Sequence, residues 1–297
     1  MSNELPLVSI VALCYNHAKY LEEALNSIAN QSYANIQLII VDDRSSDNSV
    51  ELIQNWIDKN NIDCLFLPHE KNKGLCGSLN HGLKYIKGTY YQFLACDDVM
   101  LLEKIEKQVK VLETNPNLAV VHSNGYNINE HGVIGEKLHA KPLFTGDSKI
   151  VFKALLSENR ISAPAVLIRT EMLPKAPVYD ESSIFEDWAL WLKLAKNYDF
   201  HYINEPLVHY RVLSTSMIRT EHIRKQVGVD AIAILEGYMG GNSEQDTIIT
   251  KSIARLKEQY DLYDYTLGAL LTGKTSLRKF KEALKFRTRI KNYFNKK

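Results

Sequence analysis

The first 122 residues alternate between short apolar runs and longer segments with apolar residues at helical spacing. The runs are rich in β-branched residues and lack a polar face, which is typical of strands buried on both sides of a sheet. These predicted strands lie at residues 7–14, 36–41, 64–67, 90–95 and 118–122. Strands that alternate with helices are joined by right-handed crossovers. We therefore predict an α/β fold with a mostly parallel central sheet and helices on both faces.

The rhythm changes after about residue 124. A polar, glycine-punctuated stretch comes first, followed by short predicted strands at 165–169 and 207–211 around a helix at 186–196. From about Thr220 onward, only helical periodicity is present. We therefore predict one domain at 1–217, with halves at 1–123 and 124–217, and an all-helical appendage at 218–297.

Composition and charge exclude several classes of protein. The net charge is +1, so nucleic acid is not an expected partner. The four cysteines include no C-x-x-C pair, which argues against a disulfide framework or a zinc site and favours a reducing compartment. There is no signal-peptide pattern and no apolar window long enough to cross a bilayer. We expect a cytoplasmic protein.

Polar residues follow the predicted strands at the edge where open α/β sheets bind ligands. We expect these side chains to converge on one crevice. They are Tyr15 and Asn16 after the first strand, Asp42 and Asp43 after the second, Asn72 and Gly74 after the third, and Asp97 and Asp98 after the fourth.

The Asp97–Asp98 pair has the clearest chemical interpretation. A carboxylate at a buried strand end is costly unless a cation compensates for its charge. A hard divalent cation with oxygen ligands does so and can also hold a diphosphate. The alternative is a helix N-cap, since a helix is predicted from Leu101. Asp42 and Asp43 have a similar alternative as turn residues after a strand.

A second acidic pair, Glu186 and Asp187, opens a predicted helix that carries Trp188 and Trp191. The helix macrodipole favours negative charge in the first turn, which suits Asp187 as a general base. The alternative is a charge that merely stabilises the helix.

These motifs, taken together, resemble those of the family 2 glycosyltransferases, which have the two-layered α/β fold called GT-A. The resemblance runs from about Leu7 to Ser216. It rests on the motifs V8-S9-I10-V11-x-x-x-Y15-N16, V41-D42-D43-x-S45-x-D47, N72-x-G74 with N80-x-G82, D97-D98, E186-D187-W188-x-L190-W191 and Y210-R211.

The resemblance implies an inverting, metal-dependent enzyme. Such an enzyme would move one sugar from a nucleotide-diphosphate sugar, with a UDP-sugar favoured, to a hydroxyl of a glycan or lipid-linked glycan acceptor, in bacterial surface glycan synthesis. Asp187 matches the catalytic base, and Asp98 matches the ligand of Mn²⁺ or Mg²⁺. His209 is a further candidate metal ligand, with a structural histidine as the alternative. The positions implied for donor binding are Tyr15, Asn16, Asp43, Asn72, Gly74, Asp97 and Arg211.

Two departures from the family pattern are present. Ala95 stands where many relatives carry an acid, which puts the affinity for the metal in doubt. The Gln-x-x-Arg-Trp signature of processive relatives is absent, which favours the addition of one sugar per encounter. The alternative is a non-catalytic pseudoenzyme or scaffold that binds a nucleotide-sugar. A nucleotidyltransferase or a dehydrogenase would need a glycine-rich loop after the first strand, and residues 13–17 are not one.

The C-terminal segment is strongly basic. From Lys274 onward there are ten Lys or Arg residues and one acid, Glu282, and the apolar residues of 277–297 form one helical stripe. Such a helix can lie at the inner face of an anionic cell membrane, where a lipid-linked acceptor would be found. It can equally pack on the preceding helices or form a dimer contact.

Overall fold

The computed structural model describes residues 4–214 and 221–262. These residues divide into two compact units, one within Met1–Phe152 and Arg160–Ser214, the other within Lys153–Asn159 and Thr215–Lys297. Among the described residues, no helix is long and apolar enough to cross a membrane. The basic helix predicted at 277–297 lies outside the described residues.

The first part of the larger unit alternates strands and helices as the apolar runs predict. Its four strands are parallel and lie in the order β3-β2-β1-β4. Every residue of β1 is buried, as expected of a strand covered on both faces. The elements are β1 (Val8–Cys14), α1 (Leu21–Ala29), β2 (Ile36–Asp42), α2 (Ser49–Asn60), β3 (Cys64–Pro68), α3 (Gly74–Leu83) and β4 (Tyr90–Ala95).

Helices cover both faces of this parallel region. On one face, Ile10 and Ala12 of β1 belong to the same buried cluster as Leu25 and Ile28 of α1. On the other face, α3 lies so close to the sheet that a Cβ on Gly82 would meet Cγ1 of Val11 at 2.7 Å. The α/β fold with helices on both faces is therefore confirmed.

The second part of the larger unit makes the sheet mixed. β8 inserts antiparallel between β4 and β6, whereas β6 and β9 are parallel. The full order is β3-β2-β1-β4-β8-β6-β9-β5, with β7 paired to β6. β6 runs through residue 123, where the two predicted halves meet, without a break. The elements are β5 (Val99–Met100), α4 (Lys104–Thr114), β6 (Leu118–Ile128), β7 (Ile134–Lys137), α5 (Ser148–Ser157), β8 (Val166–Arg169), α6 (Asp187–Ala195) and β9 (Asp199–Arg211).

The described part of the smaller unit contains α7 (Glu221–Glu236) and α8 (Ser243–Gln259), together with residues 153–157 at the end of α5. α8 is capped by Asn242, whose side chain accepts a hydrogen bond from the amide of Gln245 at 2.9 Å. Gly228 of α7 lies where a Cβ would be 2.7 Å from the ring of Tyr260, so glycine permits this close approach. The described part of this unit is helical, in agreement with the predicted appendage.

Candidate active site

The loops that follow the parallel strands are held side by side by backbone hydrogen bonds. The amide of Asp43 donates to Cys14 O, that of His69 donates to Asp42 O, and that of Cys96 donates to Leu13 O, each at 2.9 Å. The residues that follow β1, β2, β3 and β4 therefore begin at one edge of the sheet, as the sequence predicts. This edge is where ligands bind in open α/β folds.

Asn16 joins the first two of these loops. It has a positive φ of 56°, and its side-chain oxygen accepts a hydrogen bond from the amide of Ser46 at 2.7 Å. Its own amide donates to the hydroxyl of Ser45 at 2.9 Å. Asp42, which is fully buried, accepts at Oδ1 from the amide of Ser45 at 2.8 Å. Asn16 and Asp42 thus fix the conformation of the loops after β1 and β2. Tyr15, next to Asn16 in the chain, is 41 % exposed.

Asp43 lies at the bottom of the crevice and is almost fully buried. Its Oδ1 accepts from the amide of Lys73 at 2.7 Å and lies 3.1 Å from Nδ1 of His69. The side chain of Asn72 donates to the backbone oxygen of Asp43 at 2.9 Å and accepts from the amide of Gly74 at 3.1 Å. The side chain of Asn72 therefore links the loop after β3 to Asp43. Gly74, with a φ of 72°, is the first residue of α3.

Asp98 is 3 % exposed, and Asp97 precedes it in the loop after β4. Oδ1 of Asp98 accepts from the amide of Arg211 at 2.8 Å, and no described residue donates a hydrogen bond to Oδ2. Burial, together with the neighbouring Asp97, raises the pKa of Asp98 well above its usual range. A divalent cation would reverse this effect, because positive charge favours the ionised carboxylate.

The oxygen ligands at this position fit a hard cation. Among the described residues, no three His, Cys, Asp or Glu side chains form a group able to hold a metal ion. Within residues 4–214 and 221–262, the carboxylates available here are those of Asp98 and its neighbour Asp97, and one or two carboxylates are common for Mg²⁺ bound together with substrate phosphates and water. His209 pairs with Val99 in the β5–β9 ladder, and its ring contacts Tyr126. These contacts give no support to His209 as a metal ligand, and that role stays a prediction.

The acidic pair at the start of α6 belongs to the same crevice. Asp187 is the first residue of α6, and its Oδ1 accepts from the amide of Trp188 at 2.5 Å. Burial, and then the charge of Asp187, raise the pKa of Glu186 from 4.5 to about 8. After burial, the charges of Asp98, Asp97, Glu186 and Asp187 raise the pKa of Tyr210 above its usual range, so these carboxylates surround one phenol.

Arg211 is an anchor between elements. Its side chain is 1 % exposed and lies over the ring of Tyr20. Nε donates to Asp97 O at 2.7 Å, Nη1 to Asn129 O at 3.0 Å and Nη2 to Glu23 Oε2 at 2.5 Å. Each guanidinium nitrogen has a partner in the protein. The expectation that Arg211 contacts the donor diphosphate therefore has no support in these contacts, and it stays a prediction.

Several residues of the crevice were not predicted from the sequence as site residues. They are His17, whose Nε2 lies 3.8 Å from Asp97, the group His69, Lys73 and His81 around Asp43, and Tyr210. His69 follows β3, so its proximity to Asp43 could be expected only after β3 was paired with β2. In the sequence, Tyr210 is marked only as the neighbour of Arg211 in the Y-R motif.

The parallel nucleotide-binding half, the paired aspartates after β4 and the acidic start of α6 define a GT-A glycosyltransferase. Residues 9–172 match Glycosyl transferase family 2, and the chain belongs to this family. It is 30 % identical over 199 residues to an Escherichia coli protein, UDP-Glc:alpha-D-GlcNAc-diphosphoundecaprenol beta-1,3-glucosyltransferase WfgD, covering 67 % of this chain and 73 % of that protein.

Two solved structures share the fold. Staphylococcus aureus TarS 1–349 in complex with UDP-GlcNAc has a TM-score of 0.67 and 18 % identity, covering 96 % of this chain and 81 % of that one. The mannosyltransferase PcManGT of Pyrobaculum calidifontis in complex with GDP-Man and Mn²⁺ has a TM-score of 0.62 and 14 % identity, covering 98 % and 86 %. The chain is thus a glycosyltransferase with the GT-A fold.

Proposed function

We propose that this enzyme transfers a single sugar from a nucleoside diphosphate sugar to a hydroxyl group of a glycan or lipid-linked glycan, with inversion at the anomeric carbon. The observation that carries the proposal is the arrangement of Asp98 and Asp187. Asp98 is a buried carboxylate whose Oδ1 accepts from the amide of Arg211, and no described residue donates to its Oδ2. Asp187 is a second carboxylate, at the N-terminus of α6, and the charges of both raise the pKa of Tyr210.

Each group of the crevice has a role in this proposal. The exposed ring of Tyr15 stacks on the nucleobase, and Asp43 accepts a hydrogen bond from it. Asn16, Asn72 and Gly74 shape the loops against which the donor lies. Asp98 would hold Mn²⁺ or Mg²⁺, which when bound would neutralise charge on the diphosphate, and Asp97 beside it would contact the donor. Support for a divalent ion comes from the Mn²⁺ complex of PcManGT.

The transfer step uses Asp187 as general base. As the acceptor oxygen attacks the anomeric carbon, its proton passes to the Asp187 carboxylate, and the bond from that carbon to the diphosphate oxygen breaks. Burial and the charge of Asp187 raise the pKa of Glu186. The raised pKa makes Glu186 the poorer candidate for an ionised carboxylate, which favours Asp187 as the group that accepts the proton.

A UDP-sugar is the favoured donor and a lipid-linked glycan the favoured acceptor, in surface glycan synthesis. WfgD, by its name, takes UDP-Glc and acts on a diphosphoundecaprenol-linked sugar, and TarS was solved with UDP-GlcNAc. The acceptor side is assigned to the half at 124–217. The basic segment at 277–297 would place the enzyme on an anionic membrane surface.

The experiment is nucleotide release from UDP-, GDP- and dTDP-sugars, with Mn²⁺ or EDTA, for the wild type, Asp187→Asn and the control Asp63→Asn. Asp63 is exposed at the start of β3. We expect release from one donor that is lost in EDTA and in Asp187→Asn and is retained in Asp63→Asn. Full turnover by Asp187→Asn would refute its role as base. Donor binding without release, with acceptors present, would favour a non-catalytic binding protein.

A further inference from the structure

Two histidines connect Asp43 to α3. Nδ1 of His69 lies 3.1 Å from Oδ1 of Asp43, and Nε2 of the same ring lies 2.8 Å from Nδ1 of His81. The ammonium group of Lys73 approaches Nε2 of His69 at 3.4 Å, while the amide of Lys73 donates to Oδ1 of Asp43 at 2.7 Å. His69 and Asp43 are both buried, so the contact between these two side chains is shielded from water.

The neighbours of His69 determine where its proton lies. Asp43 offers an acceptor, so Nδ1 of His69 carries the hydrogen. The single lone pair of Nε2 then accepts from Nδ1–H of His81 at 2.8 Å, and the Lys73 ammonium lies beside this contact at 3.4 Å. Burial and then the charge of Lys73 lower the pKa of His81, which keeps this ring neutral. The contacts therefore define one tautomer for each ring.

The contacts with His69 and Lys73 occupy one carboxylate oxygen of Asp43. A carboxylate oxygen has about two positions at which it accepts hydrogen bonds. The Lys73 amide and the His69 ring occupy both positions of Oδ1. No residue in the described ranges donates to Oδ2, so this oxygen alone remains for a ligand.

We propose that His69, held by His81 and Lys73, is a positioning residue that leaves Asp43 a single oxygen with which to select the nucleobase of the donor. The proposal rests on the proposed function, in which Asp43 binds that base. Uracil and thymine present one imide N–H and need one acceptor. Guanine presents two adjacent donors, N1–H and the 2-amino group, which match both oxygens of a carboxylate. His69 therefore directs the site toward uracil and thymine donors and against guanine.

The test measures dissociation constants of UDP, dTDP and GDP by calorimetry, with Mn²⁺, for the wild type, His69→Phe and His69→Asn. Phenylalanine keeps an aromatic ring but removes the N–H donor, whereas asparagine restores an N–H near the position of Nδ1. We expect the wild type to bind UDP at least about tenfold more tightly than GDP. His69→Phe should lose most of this preference, and His69→Asn should retain it.

The UDP-to-dTDP ratio is the internal control, because both bases carry the same imide group. It should stay constant across the variants, whereas a general structural defect would weaken all three nucleotides alike. If His69→Phe does not fold, His81→Phe replaces it, because that change removes the donor to Nε2 at a half-buried position.

An unchanged UDP-to-GDP ratio in the folded phenylalanine variant would overturn the role of His69. Tighter binding of GDP by the wild type would overturn the inference and leave the transferase function standing. Binding of none of the three nucleotides would overturn both.

Discussion

Arg211 either anchors neighbouring parts of the fold or binds the donor, and the substitution Arg211→Lys distinguishes these two roles. Lysine keeps the charge, but its single ammonium group cannot reach acceptors in three directions. If the lysine ammonium keeps one of the hydrogen bonds that Arg211 makes, at least one buried carbonyl, Asp97 O or Asn129 O, loses its charged donor. The contact with Glu23 adds little, because that carboxylate is about half exposed.

The size of the effect follows from these contacts. A hydrogen bond to a charged group contributes about 1.5–3 kcal/mol, and an unsatisfied buried acceptor costs about 1–3 kcal/mol. With one or two acceptors affected, and part of the cation–π contact with Tyr20 lost, we expect Arg211→Lys to lower the free energy of unfolding by about 2–5 kcal/mol. That is a large fraction of the stability of a typical domain.

Urea unfolding followed by tryptophan fluorescence measures this directly. All three tryptophans, Trp56, Trp188 and Trp191, belong to the larger unit, so the signal reports on that unit alone. Arg160→Lys, at an exposed position of the same unit, is the control and should change stability by less than about 0.5 kcal/mol. If Arg211→Lys unfolds like this control in the absence of nucleotide but binds UDP at least about tenfold more weakly, the anchor interpretation is wrong and Arg211 is a ligand of the diphosphate.

Three further outcomes are expected. Asp98→Asn should weaken UDP binding in Mn²⁺ by at least about tenfold and leave it unchanged in EDTA; equal loss in both, by calorimetry, would contradict a metal role. Without metal, the melting temperature of the wild type should fall between about pH 4.5 and pH 8, because a carboxyl with a raised pKa destabilises the folded state as pH rises through that window. Glu186→Gln removes this carboxyl and should make the fall smaller. Gly82→Ala should cost about 1–3 kcal/mol in urea unfolding, since its Cβ would meet Val11 at 2.7 Å, and an unchanged midpoint would refute this packing.

The first four strands were predictable because each is a short, mostly apolar run. β1, predicted at 7–14, is observed at Val8–Cys14 with every residue buried. β9 was predicted only at 207–211 but extends from Asp199. Its centre contains Asn204, Glu205 and Pro206, and its register against β6 shifts there, so no regular alternation marks it as a strand. Local pattern therefore identified only the last, regular part of this strand.

A buried polar network could not be predicted from pattern at all. Lys104 of α4 is fully buried, and its ammonium group donates to the side-chain oxygens of Gln92 and Gln108 and to Val166 O. The amide of Gln108 donates in turn to Val121 O and Ala165 O. Helical periodicity places lysine and glutamine on a solvent face, yet here they join α4 to β4, β6 and the antiparallel β8. Such a position becomes visible only when the order of the strands is known.

The same limit applies inside the crevice. The motif identifies Asp98, but the group that orients it is the backbone amide of residue 211, which is 113 positions away in the chain. The antiparallel pairing of β5 with β9, in which Val99 lies opposite His209, brings this amide to Asp98. A backbone donor is present whatever the side chain, so residue identity at 211 carries no information about this contact. The arginine side chain instead secures the loop through Asp97 O. The present contacts of the Y-R motif thus support the loop that carries Asp97 and Asp98, and a contact between the arginine and the donor stays a prediction that Arg211→Lys tests.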